Sequence, residues 1–146
     1  KNEKELDNVI FSDSPVSEMN QLMSITYASI VVLRSLEISK KMRLSKTIPP
    51  LACGVPVIFS GWGETADIIK ENNAGIVTEP EDFKMLASAI TDLADNPSLR
   101  DKYSTSAHKL AKEQFDWENI INEWIKQIED INNGREPYIN RLKKDF

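Results

Sequence analysis

At 146 residues the chain is long enough for one domain with a real core. Its formal net charge of −5 argues against a nucleic-acid partner, which demands concentrated basic surface. The single Cys53 excludes an internal disulfide, and with the single His108 it leaves no zinc-binding set. The longest apolar runs are too short to span a bilayer. The opening residues KNEKELDN are polar and charged, without a secretory pattern. They lack a methionine, as expected of a processed chain or of a piece of a longer one.

In chain order, the first apolar run is 8–11 (NVIF), which reads as a strand. Residues 17–27 follow as a helix opened by Ser17 as N-cap, with Met19, Leu22, Met23 and Thr26 on one stripe. A second strand is expected at 29–33 (SIVVL), a third at 56–59 (PVIF) and a fourth at 75–77 (GIV). Such continuous Val/Ile-rich runs suit strands buried on both faces of a parallel sheet. Between the last two, residues 65–72 place Ala66, Ile68 and Ile69 together and stop at Asn72-Asn73-Ala74-Gly75, a helix-ending pattern. Strands alternating with helices predict an α/β, Rossmann-like parallel sheet with flanking helices.

The remainder reads as helical. Glu81-Asp82 opens 83–94, whose Leu86, Ala87, Ile90, Leu93 and Ala94 make an apolar stripe. Asn96-Pro97 divides this helix from 98–115. Asp116 caps 117–131, which carries Ile120, Ile121, Trp124, Ile125 and Ile128 at helical spacing before Asn132-Asn133-Gly134 ends it. This divides the chain into a domain over 1–131 and a tail over 132–146. The tail carries Arg135, Arg141, Lys143 and Lys144 with Tyr138, Ile139, Leu142 and Phe146, and reads either as a short amphipathic helix or as frayed chain.

Signals are densest over 45–63 (SKTIPPLACGVPVIFSGWG). Gly54 stands where a short helix needs a left-handed cap. Ser60-Gly61-Trp62-Gly63 forms a loop at the carboxyl end of a buried strand, the edge at which open α/β sheets bind ligands. Glycines there either admit a ligand close to the backbone or simply make a tight turn.

The blocks SKT, LACGVPVI, GETADII and NNAGIVTEPED, with NVIF and EMNQLMSITYASIVVL upstream and FDWENI downstream, resemble the GT-B-fold glycosyltransferases of family 4. Among these they look most like bacterial polysaccharide and lipopolysaccharide enzymes. The likeness covers about residues 8–130. It implies the second half of the C-terminal domain that holds a nucleotide-sugar donor, in an enzyme that retains anomeric configuration and needs no metal or other cofactor. By resemblance, Ser12, Asp13 and Ser14 fall where the family contacts the nucleobase. Ser45, Lys46 and Thr47 fall on the donor loop, where a helix N-terminus would face a diphosphate. Gly61, Trp62, Gly63 and Glu64 fall beside the pocket. Lys46 is either a phosphate contact or a solvated lysine. Trp62 is either a stacking platform or a loop residue. Glu64 either faces the ligand or caps the helix at Thr65. No residue is assigned as catalytic. A cytoplasmic setting is implied, with peripheral attachment to the inner face of a membrane left open for the full-length protein.

Two departures qualify the likeness. The family's ribose-binding glutamate, five residues before Gly54, is Pro49 here, and the acidic partner eight residues earlier is Lys41. Pro49 and Pro50 also remove two backbone donors, so the donor-site helix is expected to begin late or irregularly. Further, the strand–helix–strand–helix unit with its phosphate-clamping Arg and Lys is not in this sequence, nor is the N-terminal acceptor domain. The chain by itself is therefore expected to be inactive. Without those strands, the edge from Ser29 to Leu33 is expected to lie open and to invite self-association. An alternative is a non-catalytic interaction module that has lost donor binding; a third reading is an unrelated flavodoxin-like domain. His108 reads as a surface residue, Cys53 as a small core residue, and Trp117 and Trp124 as packing residues on one helix face.

Overall fold

The computed structural model describes residues 8–135. Its sheet has three parallel strands, β1 (Ser29–Val32), β2 (Val57–Ser60) and β3 (Gly75–Thr78), in the order β1-β2-β3. Ser29 pairs with Val57, and Val57 with Gly75. Helix α1 (Met19–Ile25) precedes the sheet, α2 (Ile48–Ala52) and α3 (Glu64–Glu71) make the two crossovers, and α4 (Phe83–Asp95), α5 (Pro97–Gln114) and α6 (Trp117–Asn132) follow. The expected α/β fold with a helical C-terminus is the one found.

Central strand β2 is buried on both faces, as its unbroken apolar sequence requires. Val57 and Phe59 point to one side, into a core with Leu51, Ile69, Ala107 and Leu110 from α2, α3 and α5. Ile58 points to the other, against Ala89 and Leu93 of α4. Enclosing Phe59 alone removes enough apolar surface to contribute roughly 2–3 kcal/mol.

Among the described residues, outer strand β1 has one neighbour, β2. The N–H of Ser29 donates to Pro56 O (2.9 Å) and that of Leu33 to Ser60 O (2.8 Å). The odd residues of β1 thus bond β2, and the N–H and C=O groups of Ile30 and Val32 face the free edge. Helix α4 covers β2 and β3 but not β1, so the Ile30 and Val32 side chains remain 49% and 58% exposed. Among the described residues, nothing pairs with the edge from Ser29 to Leu33.

Residues 8–11 do not form the strand expected of them. They run as irregular chain, with Ile10 86% and Phe11 95% exposed. The run is apolar enough, but a strand exists only where another strand completes its hydrogen bonds, and among the described residues none lies beside it. Ser17 is not an N-cap either. It sits inside a 3-10 turn (Val16–Glu18) that leads into α1, and no side chain caps that helix.

Helix α2 begins before the two prolines rather than after them. A 3-10 turn (Ser45–Thr47) runs into Ile48, and Pro49 and Pro50 occupy the first turn. Amides at that position have no intrahelical acceptor, so their absence costs the helix nothing. The expected irregularity is real, but it lies ahead of the helix. Gly54 takes the left-handed φ of +68° at the other end, as its cap position demands. Cys53, in that turn, is exposed rather than in the core.

The later helices start at the expected caps. Asp82 accepts from the N–H groups of Lys84 (3.0 Å) and Met85 (2.9 Å), Asn96 from Leu99 (3.0 Å), and Asp116 from Glu118 (2.8 Å). Because Asp82 satisfies two orphan donors, Asp82→Ala is expected to cost about 1 kcal/mol. A thermal melt should show Tm lower by a few degrees. Helix α6 buries none of its residues within the described part of the chain. Trp117 and Trp124 are exposed there, contrary to the packing expected of them. Residues 136–146 of the tail lie outside the described residues.

Candidate functional site

The carboxyl edge of the sheet is built from the segments that leave β1, β2 and β3. Beyond β1 the chain turns through Glu37–Lys41 and Ser45–Thr47 before entering α2. Beyond β2 come Gly61, Trp62 and Gly63, and beyond β3 the run Glu79-Pro80-Glu81-Asp82.

The first two segments are pressed together. Gly63 has φ +85°, and a side chain there would strike the Lys40 carbonyl. A Cβ on Gly61 would meet the Phe59 ring at 2.9 Å and Leu33 at 3.2 Å. Gly63 therefore serves the packing of one loop on the other, and Gly61 leaves room for Phe59 and Leu33. Trp62 is half-buried; its indole N–H donates to Glu79 Oε2 (2.7 Å) and its ring lies 5.2 Å from Lys40 Nζ, a cation–π distance. Lys40 also donates to Glu37 Oε1 (2.8 Å). Glu64 is the first residue of α3 and makes no cap; its carboxylate stands 3.6 Å from Arg43 Nη1. The Leu44 N–H donates to Thr65 Oγ1 (3.1 Å), and Thr47 donates its hydroxyl to Leu44 O (2.7 Å).

Among the residues expected at the site, Ser45, Lys46 and Thr47 thus join the same edge as Gly61, Trp62, Gly63 and Glu64. Ser45 and Lys46 are exposed, whereas Thr47 is buried. Ser12, Asp13 and Ser14 lie in the irregular segment, and no hydrogen bond or ion pair among the described residues ties them to the rest.

Charge distinguishes this edge. Between Arg34 and Lys46 stand Arg34, Lys40, Lys41, Arg43 and Lys46 against the single acid Glu37, in a chain whose net charge is negative. Their positions along a tight double turn concentrate the positive field at the end of the sheet. Beside them a groove of about 400 Å³ opens between β1 and α4. Val32, Leu33, Phe83 and Leu86 wall it, with Ser60 on its floor and Arg34 and Glu81 at its mouth, 3.9 Å apart. Phe83 is 78% exposed, and Glu81 takes a left-handed φ of +64°, uncommon for a residue with a side chain. Spacing did not single out Arg34, Lys40, Glu79, Glu81 or Phe83; the density of cations between Arg34 and Lys46 was the available signal.

The opposite edge carries a cavity of about 360 Å³ near Arg100. Arg100 stacks on Tyr27 at 4.1 Å and bonds Asp101 at 2.9 Å; that hydrogen bond holds the guanidinium above its ordinary pKa. Among the described residues no group of three or more His, Cys, Asp or Glu side chains is placed to hold a metal. None of the described helices is long and apolar enough to cross a membrane.

The chain is thus a parallel α/β unit with loops gathered at the carboxyl edge of the sheet and a cationic segment among them, the edge at which open α/β sheets bind ligands. The particular family is the glycosyl transferases of group 1: residues 4–110 match it, and the chain belongs to it. An uncharacterized glycosyltransferase of Methanocaldococcus jannaschii is 24% identical over 89 residues, covering 61% of this chain and 23% of the relative. Glycogen synthase of Mycobacterium tuberculosis is 25% identical over 69 residues, covering 47% and 17%. The chain therefore spans about a fifth of the length of these curated relatives.

Proposed function

We propose that this chain is the donor-binding part of a retaining, GT-B-type glycosyltransferase of family 4. It would act in the cytoplasm on a nucleotide-diphosphate sugar and a polysaccharide or lipopolysaccharide precursor. The observation that carries the reading is the cationic turn from Arg34 to Lys46 at the ligand-binding edge of a group 1 glycosyl transferase sheet. In such a transfer the departing diphosphate gains charge, and fixed cations stabilise it without reorganising. Lys46 and Lys41, both exposed on that turn, are suited to the phosphates as point charges. The acceptor and the remaining phosphate ligands come from the other half of the enzyme.

Calorimetry with UDP, GDP and TDP, with and without a chelator, tests this. One of the three is expected to bind, with affinity unchanged by the chelator and weakened roughly tenfold in Lys46→Ala, about the loss of one charge-assisted contact. No turnover of the corresponding sugar nucleotide is expected from the 146-residue chain. Absence of binding by all three would favour the second reading, an interaction module without donor binding. Pro49 supports that reading, since an exposed proline offers a ribose no side-chain acceptor.

A further inference from the structure

We propose that Trp62 is a positioning residue that brackets the middle of the cationic turn, Glu37–Lys41, to the loop beyond β3. Its indole is engaged by two different loops at once. The ring N–H donates to Glu79 Oε2 at 2.7 Å, shorter than the roughly 2.9–3.0 Å of a neutral N–H···O bond, as a charged acceptor makes it. One face of the ring meets Lys40 Nζ at 5.2 Å, within reach of a cation–π attraction. The same ammonium donates to Glu37 Oε1 at 2.8 Å. The loops that follow β1, β2 and β3 are thus joined through one side chain.

The two ends of the bracket differ in what supports them. Glu79 is a fixed post. Ser60 donates its hydroxyl to the Glu79 carbonyl at 3.0 Å, and the buried Pro80 that follows confines the Glu79 backbone to extended geometry. The turn has little of its own to hold it. Glu37–Lys41 is a short 3-10 helix, a form with poor hydrogen-bond geometry. From Arg34 to Lys46 only Ser39 is buried, and the five cations of that stretch repel one another. Its second half has a separate anchor: the Leu44 N–H donates to Thr65 Oγ1 at 3.1 Å, and Arg43 faces Glu64 at 3.6 Å. Glu37–Lys41 is held instead by Trp62 and by the close seat of the Lys40 carbonyl on Gly63.

The cations of the turn then fall into two kinds. Arg34 is engaged by Glu81, Lys40 by Glu37 and Trp62, and Arg43 by Glu64. Lys41 and Lys46 have no ion pair among the described residues. Lys41 follows Lys40 directly, so holding Lys40 aims Lys41 across the edge of the sheet. Trp62 thereby acts on the ligand through Lys41 and does not stack on it: the ring edge is fixed by Glu79 and one face is taken by Lys40. The consequence for affinity rests on the donor-binding reading above; the ordering of the turn does not.

The test pairs backbone NMR relaxation on the ligand-free 146-residue chain with calorimetry against UDP, GDP and TDP. The variants are Trp62→Leu, Glu79→Ala and Glu79→Gln, and far-UV circular dichroism verifies that each is folded. Order parameters at Glu37–Lys41 are expected to fall from about 0.85 to below about 0.6 in Trp62→Leu and in Glu79→Ala. Residues 44–47, anchored by Thr65, keep their parent values. Glu79→Gln retains a carbonyl acceptor for the indole and is expected to match the parent throughout. Nucleotide affinity follows the same pattern, about fivefold weaker in Trp62→Leu and Glu79→Ala and unchanged in Glu79→Gln. In a Lys41→Ala background Trp62→Leu weakens binding no further. Parent-like order at Glu37–Lys41 in either Trp62→Leu or Glu79→Ala overturns the bracket. Affinity lost in Trp62→Leu but kept in Glu79→Ala also overturns it, and assigns the ring to the ligand. The relaxation measurement needs no ligand, so it decides the bracket separately from whether any of the nucleotides binds.

Discussion

Gly75→Ala is expected to lower the melting temperature on the order of 10 °C or more, as a substitution costing about 3 kcal/mol does in a domain of this size. Gly75 opens β3 directly beside Val57 of the central strand. A Cβ there would run into the Val57 carbonyl and amide. These are backbone atoms in a fully buried strand, so no side chain can swing aside. Relief requires β3 to separate from β2 and thereby breaks the ladder on which both cores rest. A melt by circular dichroism within about 2 °C of the parent would show that the sheet tolerates the separation, and would refute this account.

The second large effect is a gain. Pro49 sits on the first turn of α2, exposed, at the position where the family resemblance places a ribose-binding glutamate. Pro49→Glu restores a charged acceptor and returns one amide to the helix start. The expected result is donor binding tighter by about tenfold or more, equivalent to roughly 1.5–3 kcal/mol for one hydrogen bond to a charged group. Calorimetry on the parent and the variant measures it. Unchanged or weaker binding would mean that the ribose is held elsewhere or that the pocket has been abandoned.

The three strands were legible because each is a short apolar run with a partner strand on at least one side, and periodicity alone locates such runs. The same signal misplaced 8–11, since composition reports the capacity to be a strand and says nothing of what lies alongside. Helix starts at Asp82, Asn96 and Asp116 were legible because a cap is local chemistry, decided within three residues. Cys53 was misjudged for the converse reason. Its burial depends on where the turn after α2 lands, which no neighbour in sequence dictates. At the site, Ser45, Lys46 and Thr47 and the loop from Gly61 to Glu64 could be named from motif. The contacts of Trp62 with Glu79 and with Lys40, 17 and 22 positions away in the chain, are a product of the fold. The exposed faces of Trp117 and Trp124 were hidden likewise: a helical stripe shows that a face is apolar, and only the assembled chain shows whether anything covers it.

Because β1, β2 and β3 are neighbours both in the sheet and in the chain, the sheet can assemble in the order of synthesis, each strand finding its predecessor already waiting. The closing element is α5. Ser104 donates to Gly54 O at 2.6 Å, His108 Nδ1 lies 3.1 Å from Ala52 O, and Ala107, Leu110 and Ala111 seal the larger core. These contacts reach back some 50 residues and carry the main loop-closure cost. A nascent chain shorter than about residue 111 therefore holds a sheet with one face covered only by α2 and α3, and cooperative folding waits until α5 has left the ribosome. The half-made intermediate exposes Phe59 and Leu51 during that interval, which makes the emergence of α5 the step most vulnerable to aggregation.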